Sequence, residues 1–169
     1  MDPRAFAEEV DISDKIPSGF QAALTSSKWK ERKEVLDELL TILNATPRIK
    51  DVPEIGDVVK SLAGRMTDAN INCVITSANC LEALAKGMMG NFAKFRETVV
   101  PPMLDRLKER KQSVTDAIGN ALDAVFSTVC VYSLLRYLIL FFSRPLCLTY
   151  WITSFLHWHQ RIPRLRKER

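Results

Sequence analysis

The side chains best suited to catalysis or metal binding are few and widely separated in this chain of 169 residues. Its two histidines, His157 and His159, lie near the C-terminus, and no two of its four cysteines form a CxxC pair. Zinc sites and Cys–His nucleophiles need these groups at characteristic spacings, and phosphate loops need a glycine-rich turn before a helix. We therefore predict no enzyme, no cofactor and no metal site. The cysteines are expected to be reduced and buried.

The type and position of Trp29 indicate binding to another protein. It stands at the predicted start of a helix, among charged residues that include Lys30 and Lys33, while the apolar stripe of that helix begins only at Val35. Tryptophan is among the side chains most enriched at the energetic centres of interfaces. Trp29 is therefore a candidate binding anchor, and local packing against its own helix is the alternative.

Charge divides the chain into two unlike parts. Residues 1–127 contain 17 basic and 19 acidic residues, a net charge of −2, whereas residues 128–169 contain 7 and 1, a net charge of +6. The overall charge of +4 therefore belongs to the C-terminal segment. Because a nucleic-acid-binding domain carries a basic face, we predict no nucleic-acid partner for the main body. The acidic N-terminus lacks the apolar run of a signal peptide.

The apolar pattern predicts three pairs of helices that position these residues. Similar apolar segments begin at Leu36, Leu81 and Leu122, at intervals of 45 and 41 residues. Each closes a helical stretch, and each stretch follows another one, predicted around residues 17–26, 54–67 and 92–109. Intervals of this size are typical of HEAT or armadillo repeats, whose helix pairs must stack to bury their faces. An ordinary bundle of evenly spaced helices is the alternative.

In a HEAT stack, the turns inside successive pairs line up along one side, which we call the turn edge. It comprises the predicted turns at residues 26–27, 68–70 and 110–113, together with the helix starts that follow them. Trp29, Asn70–Asn72 and Arg110–Gln112 would therefore lie side by side. Ser27, Asn70 and Ser113 are predicted to cap the three following helices.

Three motifs resemble one known family. They are SSKWKERKEVLDELLTIL, GRMTDANINCVITSANCLEALAKGM and VVPPMLDRLKERKQSVTDAIGNALDAVF. Together they resemble the TOG domains of the microtubule-polymerase family in its fungal form, and the leader VDISDKIPSGF is similar to the start of the second TOG domain in such arrays. The resemblance implies an all-α HEAT-repeat solenoid that binds αβ-tubulin through its intra-repeat turns.

The resemblance also implies which residues bind. Trp29 corresponds to the family's first-turn tryptophan on the β-tubulin surface, and Asp68 belongs to the second turn. The implied tubulin-binding residues are Trp29, Lys30, Lys33, Asn70, Ile71, Asn72, Arg110 and Lys111. The implied partners are αβ-tubulin, mainly on its β-tubulin side, and microtubule plus ends. The implied location is the cytoplasmic microtubule cytoskeleton, including the spindle pole and kinetochore.

The domain organisation follows from the repeats. We expect a leader at residues 1–16 and a partial TOG domain at 17–128, followed by an atypical apolar and basic tail at 129–169. The expected repeats cover about residues 17–46, 54–90 and 91–127. Because the family pattern stops after Thr128, we expect the third repeat to leave one apolar face uncovered, formed by Val114, Ile118, Ala121 and Val125.

Three interpretations of the tail remain open. It is rich in aromatic residues and has no acidic residue before Glu168, as expected of a translated intron or a shifted reading frame. A membrane-associated segment and a divergent fourth repeat are the alternatives. Its two apolar runs, at residues 129–142 and 146–158, are shorter than the roughly 20 residues that a spanning helix needs. A membrane partner is therefore not favoured, and a membrane-anchored helical scaffold is the alternative function.

Overall fold

The computed structural model describes residues 6–128, and this part of the chain is built from helices. Short 3-10 turns occur at Ser13–Lys15, Arg65–Thr67 and Met89–Phe95. The α-helices are α1 (Phe20–Leu24), α2 (Trp29–Ala45), α3 (Pro53–Gly64), α4 (Ile71–Met88), α5 (Arg96–Arg106) and α6 (Gln112–Ser127). Within residues 6–128 no helix has the length and apolar character needed to cross a bilayer. The three interpretations of residues 129–169 lie outside the described residues.

The helices form two layers of a stack. Helices α2, α4 and α6 form one layer, in which α4 packs extensively against both neighbours, and α1, α3 and α5 form the other. The predicted stripes are buried where they were expected, as at Leu36 and Leu39 in α2 and at Leu81 and Ala85 in α4. The prediction of an all-α solenoid of stacked helix pairs is confirmed.

Helices α2 and α4 run parallel in a fixed register. The Cys73 thiol donates to the carbonyl oxygen of Trp29, and the Cys80 thiol donates to that of Leu36, each at 3.5 Å and each 44 residues apart. Both cysteines are free and buried, as predicted for these two, and burial raises the pKa of each thiol. A small side chain at these positions lets the two helices approach closely. The repeat in the sequence therefore corresponds to a fixed alignment of α2 and α4, in which residues 44 apart are neighbours.

The expectation about the third repeat is wrong. Val114, Ile118, Ala121 and Val125 are all fully buried, so they do not form an uncovered face. They recur at helical spacing along α6, whose most extensive packing among the described helices is against α4. These side chains therefore belong to the core of the stack, because the stripe that predicts a helix also marks its inner face.

Two of the three predicted helix caps are also wrong. Asn70 does cap α4, because its side-chain oxygen accepts a hydrogen bond from the backbone N–H of Asn72 at 2.9 Å. The residues at the other two cap positions are Lys28 and Lys111, neither of which makes a side-chain capping bond. Polar residues cluster around all three turns, and the sequence alone does not show which of them begins the helix.

The opposite ends of α2 and α4 form a second structured side, which we call the far edge. There the leader is paired with the chain after α2: Val10 donates to the carbonyl of Arg48 at 3.1 Å and accepts from Lys50 at 2.9 Å. Ile49, buried beside them, donates to the carbonyl of Gly87 at 3.1 Å. The leader is therefore packed onto the described domain, with Ile12 in the core.

Gly87 permits this close approach. A Cβ atom at Gly87 would lie 2.7 Å from Cδ1 and 2.9 Å from Cγ1 of Ile49. We expect Gly87→Ala to lower the free energy of unfolding by about 1–3 kcal/mol, because the buried Ile49 must move. Chemical denaturation measures the effect. Gly119→Ala is the matched control, since nothing lies within 4 Å of its added Cβ, and it should stabilise α6 by about 0.5–1 kcal/mol.

A double-mutant cycle separates this contact from a general effect on α4. Ile49→Ala removes the atoms that meet the new methyl group, so Gly87→Ala should cost less in that background. Equal costs in both backgrounds would contradict the proposed clash.

Candidate functional site

Trp29 is the first residue of α2 and lies on the turn edge. The residue is 39% exposed, and among residues 6–128 only it and Phe6 (78%) are large exposed hydrophobics. The turn before it is closed by local hydrogen bonds: Lys28 donates its backbone N–H to Ser26 Oγ at 3.2 Å, and Ser26 Oγ donates to Glu31 at 2.6 Å. The indole is thus presented from an ordered helix start.

A buried ion pair joins the first turn to the second. The Arg32 guanidinium donates through Nε and Nη2 to the two carboxylate oxygens of Asp68, at 2.9 and 2.8 Å. The Asp68 side chain is 1% exposed and that of Arg32 11%. Paired, parallel hydrogen bonds of this kind fix the orientation of both groups. Arg32 therefore locks the start of α2 onto the turn before α4.

Two further contacts extend this ion pair to the backbone of the first turn. Arg32 Nη1 donates to the carbonyl of Ser26 at 2.7 Å. Arg65 Nη1 donates both to Asp68 at 3.3 Å and to the carbonyl of Leu24 at 3.0 Å. We call Asp68, Arg32 and Arg65 the clamp, because their hydrogen bonds hold the first turn on both sides of Thr25.

The clamp controls the ionisation of Asp68. Burial alone would raise the pKa of this carboxyl, but hydrogen bonds from Arg32 and from the backbone N–H of Asn70, with the positive charges of Arg32 and Arg65, act against it. The net effect is a pKa below the ordinary value of 3.8. Asp68 is therefore ionised at neutral pH despite its burial.

The second turn contributes the start of α4 to the same surface. Asn72 is exposed and Ile71, the first residue of α4, is half-buried. Because the Cys73 thiol contacts the Trp29 carbonyl, these residues lie beside the first turn. The structure thus brings together the predicted residues of the first two turns.

The third turn, residues 107–111, leads into α6, which packs beside α4 in the same layer. Arg110 and Lys111 are both exposed there. The repeat places them next along the turn edge, after the two turns that the clamp joins.

The cations of the turn edge differ in their partners. Lys33 forms an ion pair with Asp37, one turn along α2, and Lys28 forms one with Glu31 at 2.9 Å. Lys30, Arg110 and Lys111 make no ion pair with any residue between 6 and 128. These three are available to an acidic partner, whereas Lys33 is already engaged.

Sequence reasoning missed Arg32, which it treated as one charge among several around Trp29. A local signal was present, because Arg32 precedes Leu36, Leu39 and Leu43 at the spacing of the buried stripe. A charged residue at a core-facing position indicates a buried partner.

Among residues 6–128, no cluster of histidine, cysteine and acidic side chains could hold a metal ion. The arrangement of residues along the turn edge is suited to binding a partner through an exposed surface.

Individual relatives match the chain, although no protein-family model does. The spindle pole body component alp14 of Schizosaccharomyces pombe is 40% identical over 121 residues, which are 72% of this chain and 15% of that protein. Zygote defective protein 9 of Caenorhabditis elegans is 35% identical over 128 residues, 75% of this chain and 9% of that protein. Protein mini spindles of Drosophila melanogaster is 34% identical over 129 residues, 76% of this chain and 6% of that protein.

Two solved structures share the fold. One comes from work on microtubule plus-end tracking by XMAP215, CLIP-170 and EB1, and it matches with a TM-score of 0.75 and 31% identity, over 82% of this chain and 57% of that one. The other comes from work on tubulin recruitment by microtubule polymerases with Tumor Overexpressed Gene (TOG) domain arrays, with a TM-score of 0.71 and 33% identity, over 81% of this chain and 29% of that one. The chain belongs to the TOG-domain family.

The family predicted from the three motifs is therefore confirmed. This TOG-domain chain spans only a small part of its relatives, 15% of alp14 and 6% of mini spindles.

The clamp of this TOG-domain chain makes its stability depend on pH. Because the pKa of Asp68 is lowered in the folded state, its ionised form stabilises the fold above the ordinary value of 3.8. That contribution is lost as the pH falls through the lower, folded-state pKa. We expect Asp68→Asn to lower the free energy of unfolding at neutral pH by about 3 kcal/mol, since the Arg32 charge loses its anionic partner. Its acid destabilisation should also be shallower than that of the wild type.

Thermal unfolding followed by circular dichroism, from about pH 7 to about pH 2.5, measures both effects. Asp57→Asn is the control, because this carboxylate is exposed and its pair with Lys60 at 3.3 Å is solvated. If the Asp68→Asn chain has the stability and acid profile of the wild type, the clamp makes no net contribution to the free energy of unfolding.

Proposed function

We propose that this chain is an αβ-tubulin-binding module that contacts its partner through the turn edge. The observation that carries this proposal is the exposed indole of Trp29, presented beside the second turn by a buried ion pair. A rigid, partly exposed tryptophan loses little conformational entropy when it is covered by a partner. The relatives support tubulin as that partner, since one matched structure concerns tubulin recruitment by TOG-domain arrays.

Charge supports the same partner. Lys30, Arg110 and Lys111 lack acidic partners within residues 6–128, so their charges are directed to solvent. Such charges accelerate association with an acidic surface, and tubulin is acidic. We assign Trp29, Asn70, Ile71 and Asn72 to the contact itself. Lys30, Arg110 and Lys111 assist association, and Lys33 contributes less because Asp37 engages it.

The proposed role is binding rather than catalysis. In a protein with several TOG domains, tethered modules raise the local concentration of tubulin without any chemical step. The first repeats of such domains face β-tubulin, and we assign the described turns to that side. The proposed location is the cytoplasmic microtubule cytoskeleton, including plus ends, the spindle pole and the kinetochore. Relatives named for the spindle pole body and the centrosome support it.

Removal of the anchor tests the contact. Trp29→Ala should weaken tubulin binding by about 2–4 kcal/mol, because a truncated aromatic anchor leaves its pocket on the partner unfilled. Its melting temperature should change little. Sedimentation or co-elution with αβ-tubulin measures the affinity.

Phe6→Ala is the matched control, since it removes the other large exposed aromatic among residues 6–128. It should bind as the wild type does. If Trp29→Ala binds equally well, or loses binding only because it unfolds, Trp29 is not the anchor.

Charge reversal tests the electrostatic contribution separately. Lys30→Glu combined with Lys111→Glu should slow association with tubulin and weaken its dependence on salt, since exposed charges act mainly on the association rate. Lys15→Glu combined with Lys50→Glu is the matched control. Lys15 and Lys50 also make no ion pair within residues 6–128. Lys50 lies at the far edge, where its backbone N–H donates to Val10, and Lys15 lies in the leader before α1. Stopped-flow kinetics at two salt concentrations measure the association rates. Equal rates for the two double variants would show that the position of the charge is irrelevant.

A further inference from the structure

Four hydrogen bonds converge on the Asp68 carboxylate. They come from Arg32 Nε and Nη2, from Arg65 Nη1 and from the backbone N–H of Asn70, at 2.8 to 3.3 Å. A buried carboxylate with this many donors has its acceptor capacity almost filled. Asp68 is therefore fixed in position relative to the second turn.

The two arginines also fix the first turn relative to Asp68, because each of them bonds to a backbone carbonyl of that turn. Arg32 also reaches the carbonyl of Ser26, and Arg65 also reaches that of Leu24. These carbonyls lie three and five residues before Trp29. The path of the backbone into α2, and with it the direction of the indole, is therefore set from the second turn. Local hydrogen bonds alone do not define it.

We propose that Arg32 and Arg65 are positioning residues for partner binding, which hold Trp29 in register with Asn70–Asn72 so that the two turns act as one surface. This inference rests on the proposed function for its partner. It adds that affinity depends on residues that do not touch tubulin, namely the buried Arg32 and the half-buried Arg65 of the clamp. Misplacing a rigid contact group by a small distance costs binding because the partner surface does not follow it.

Lysine at position 32 is the sharpest test. Arg32→Lys keeps the positive charge for Asp68, but one ammonium group cannot hold both carboxylate oxygens and the Ser26 carbonyl in the planar geometry of a guanidinium. We expect the fold to persist and the first turn to loosen. Arg65→Lys is the milder second variant, and it carries the test if Arg32→Lys does not fold.

The first measurement needs no partner. Hydrogen exchange of the unliganded full chain, read by mass spectrometry, reports opening of the first turn. The backbone N–H groups of Thr25, Ser26 and Lys28 are hydrogen-bonded in the turn. They should exchange about tenfold faster in Arg32→Lys. Gly87→Ala is the control, because it destabilises the far edge and should leave this turn as protected as in the wild type.

The second measurement is tubulin affinity. Arg32→Lys should weaken it about tenfold, and it should have no further effect in a Trp29→Ala background if Arg32 acts through Trp29. Gly87→Ala should bind as the wild type does, which excludes a general loss of stability as the cause.

The possible results of these two measurements distinguish a failure of this proposal from a failure of the proposed function. Unchanged exchange in the first turn overturns the proposal, whatever the binding result. Faster exchange with wild-type affinity overturns it too, since the loosened turn would still bind. An additive loss in the Trp29→Ala background shows that Arg32 does not act through the indole. If the wild type binds no tubulin, the proposed function fails and the link to affinity fails with it, while exchange still decides whether the clamp fixes the turn.

Discussion

The contact between Arg32 and Asp68 links the two parts of the structure on which the proposed binding surface depends. A buried charge is costly unless its hydrogen-bonding capacity is filled, so the pair is stable only with the turns around it correctly folded. Arg32 satisfies the Ser26 carbonyl and Asp68 satisfies the Asn70 N–H. Packing energy, turn geometry and the presentation of Trp29 are thus coupled through two side chains.

Helix α4 supplies the register that brings the pair together. The two thiol–carbonyl hydrogen bonds from α4 to α2 both join residues 44 apart in sequence, so the two helices keep one register along this length. The same parallel register places the helix starts at the turn edge and the helix ends at the far edge. At the far edge, Gly87 lets Ile49 approach closely and the leader pair with the chain. One packing arrangement therefore determines both sides of the stack.

Local spacing predicted the helices and most of the core, because a buried face repeats every three or four residues and leaves its mark in the sequence. It did not predict the clamp, since Arg32 and Asp68 are 36 residues apart and no local pattern joins them. The uncovered face assigned to Val114, Ile118, Ala121 and Val125 failed for another reason. A stripe shows that a face is buried, but it does not show which neighbouring elements of the stack bury it. The candidate site was found through the family resemblance and through Trp29.

The position of Trp29 reconciles its two interpretations. More than half of the residue's surface is covered, since 39% remains exposed, while its carbonyl accepts a hydrogen bond from the Cys73 thiol. It is thus both packed at the helix start and available to a partner. A side chain that is held on one face has few rotamers to lose on binding, so its exposed face contributes more of its contact energy to affinity. Local packing is therefore a condition for Trp29 to act as the proposed anchor, and the positioning role proposed for the clamp is to maintain that packing.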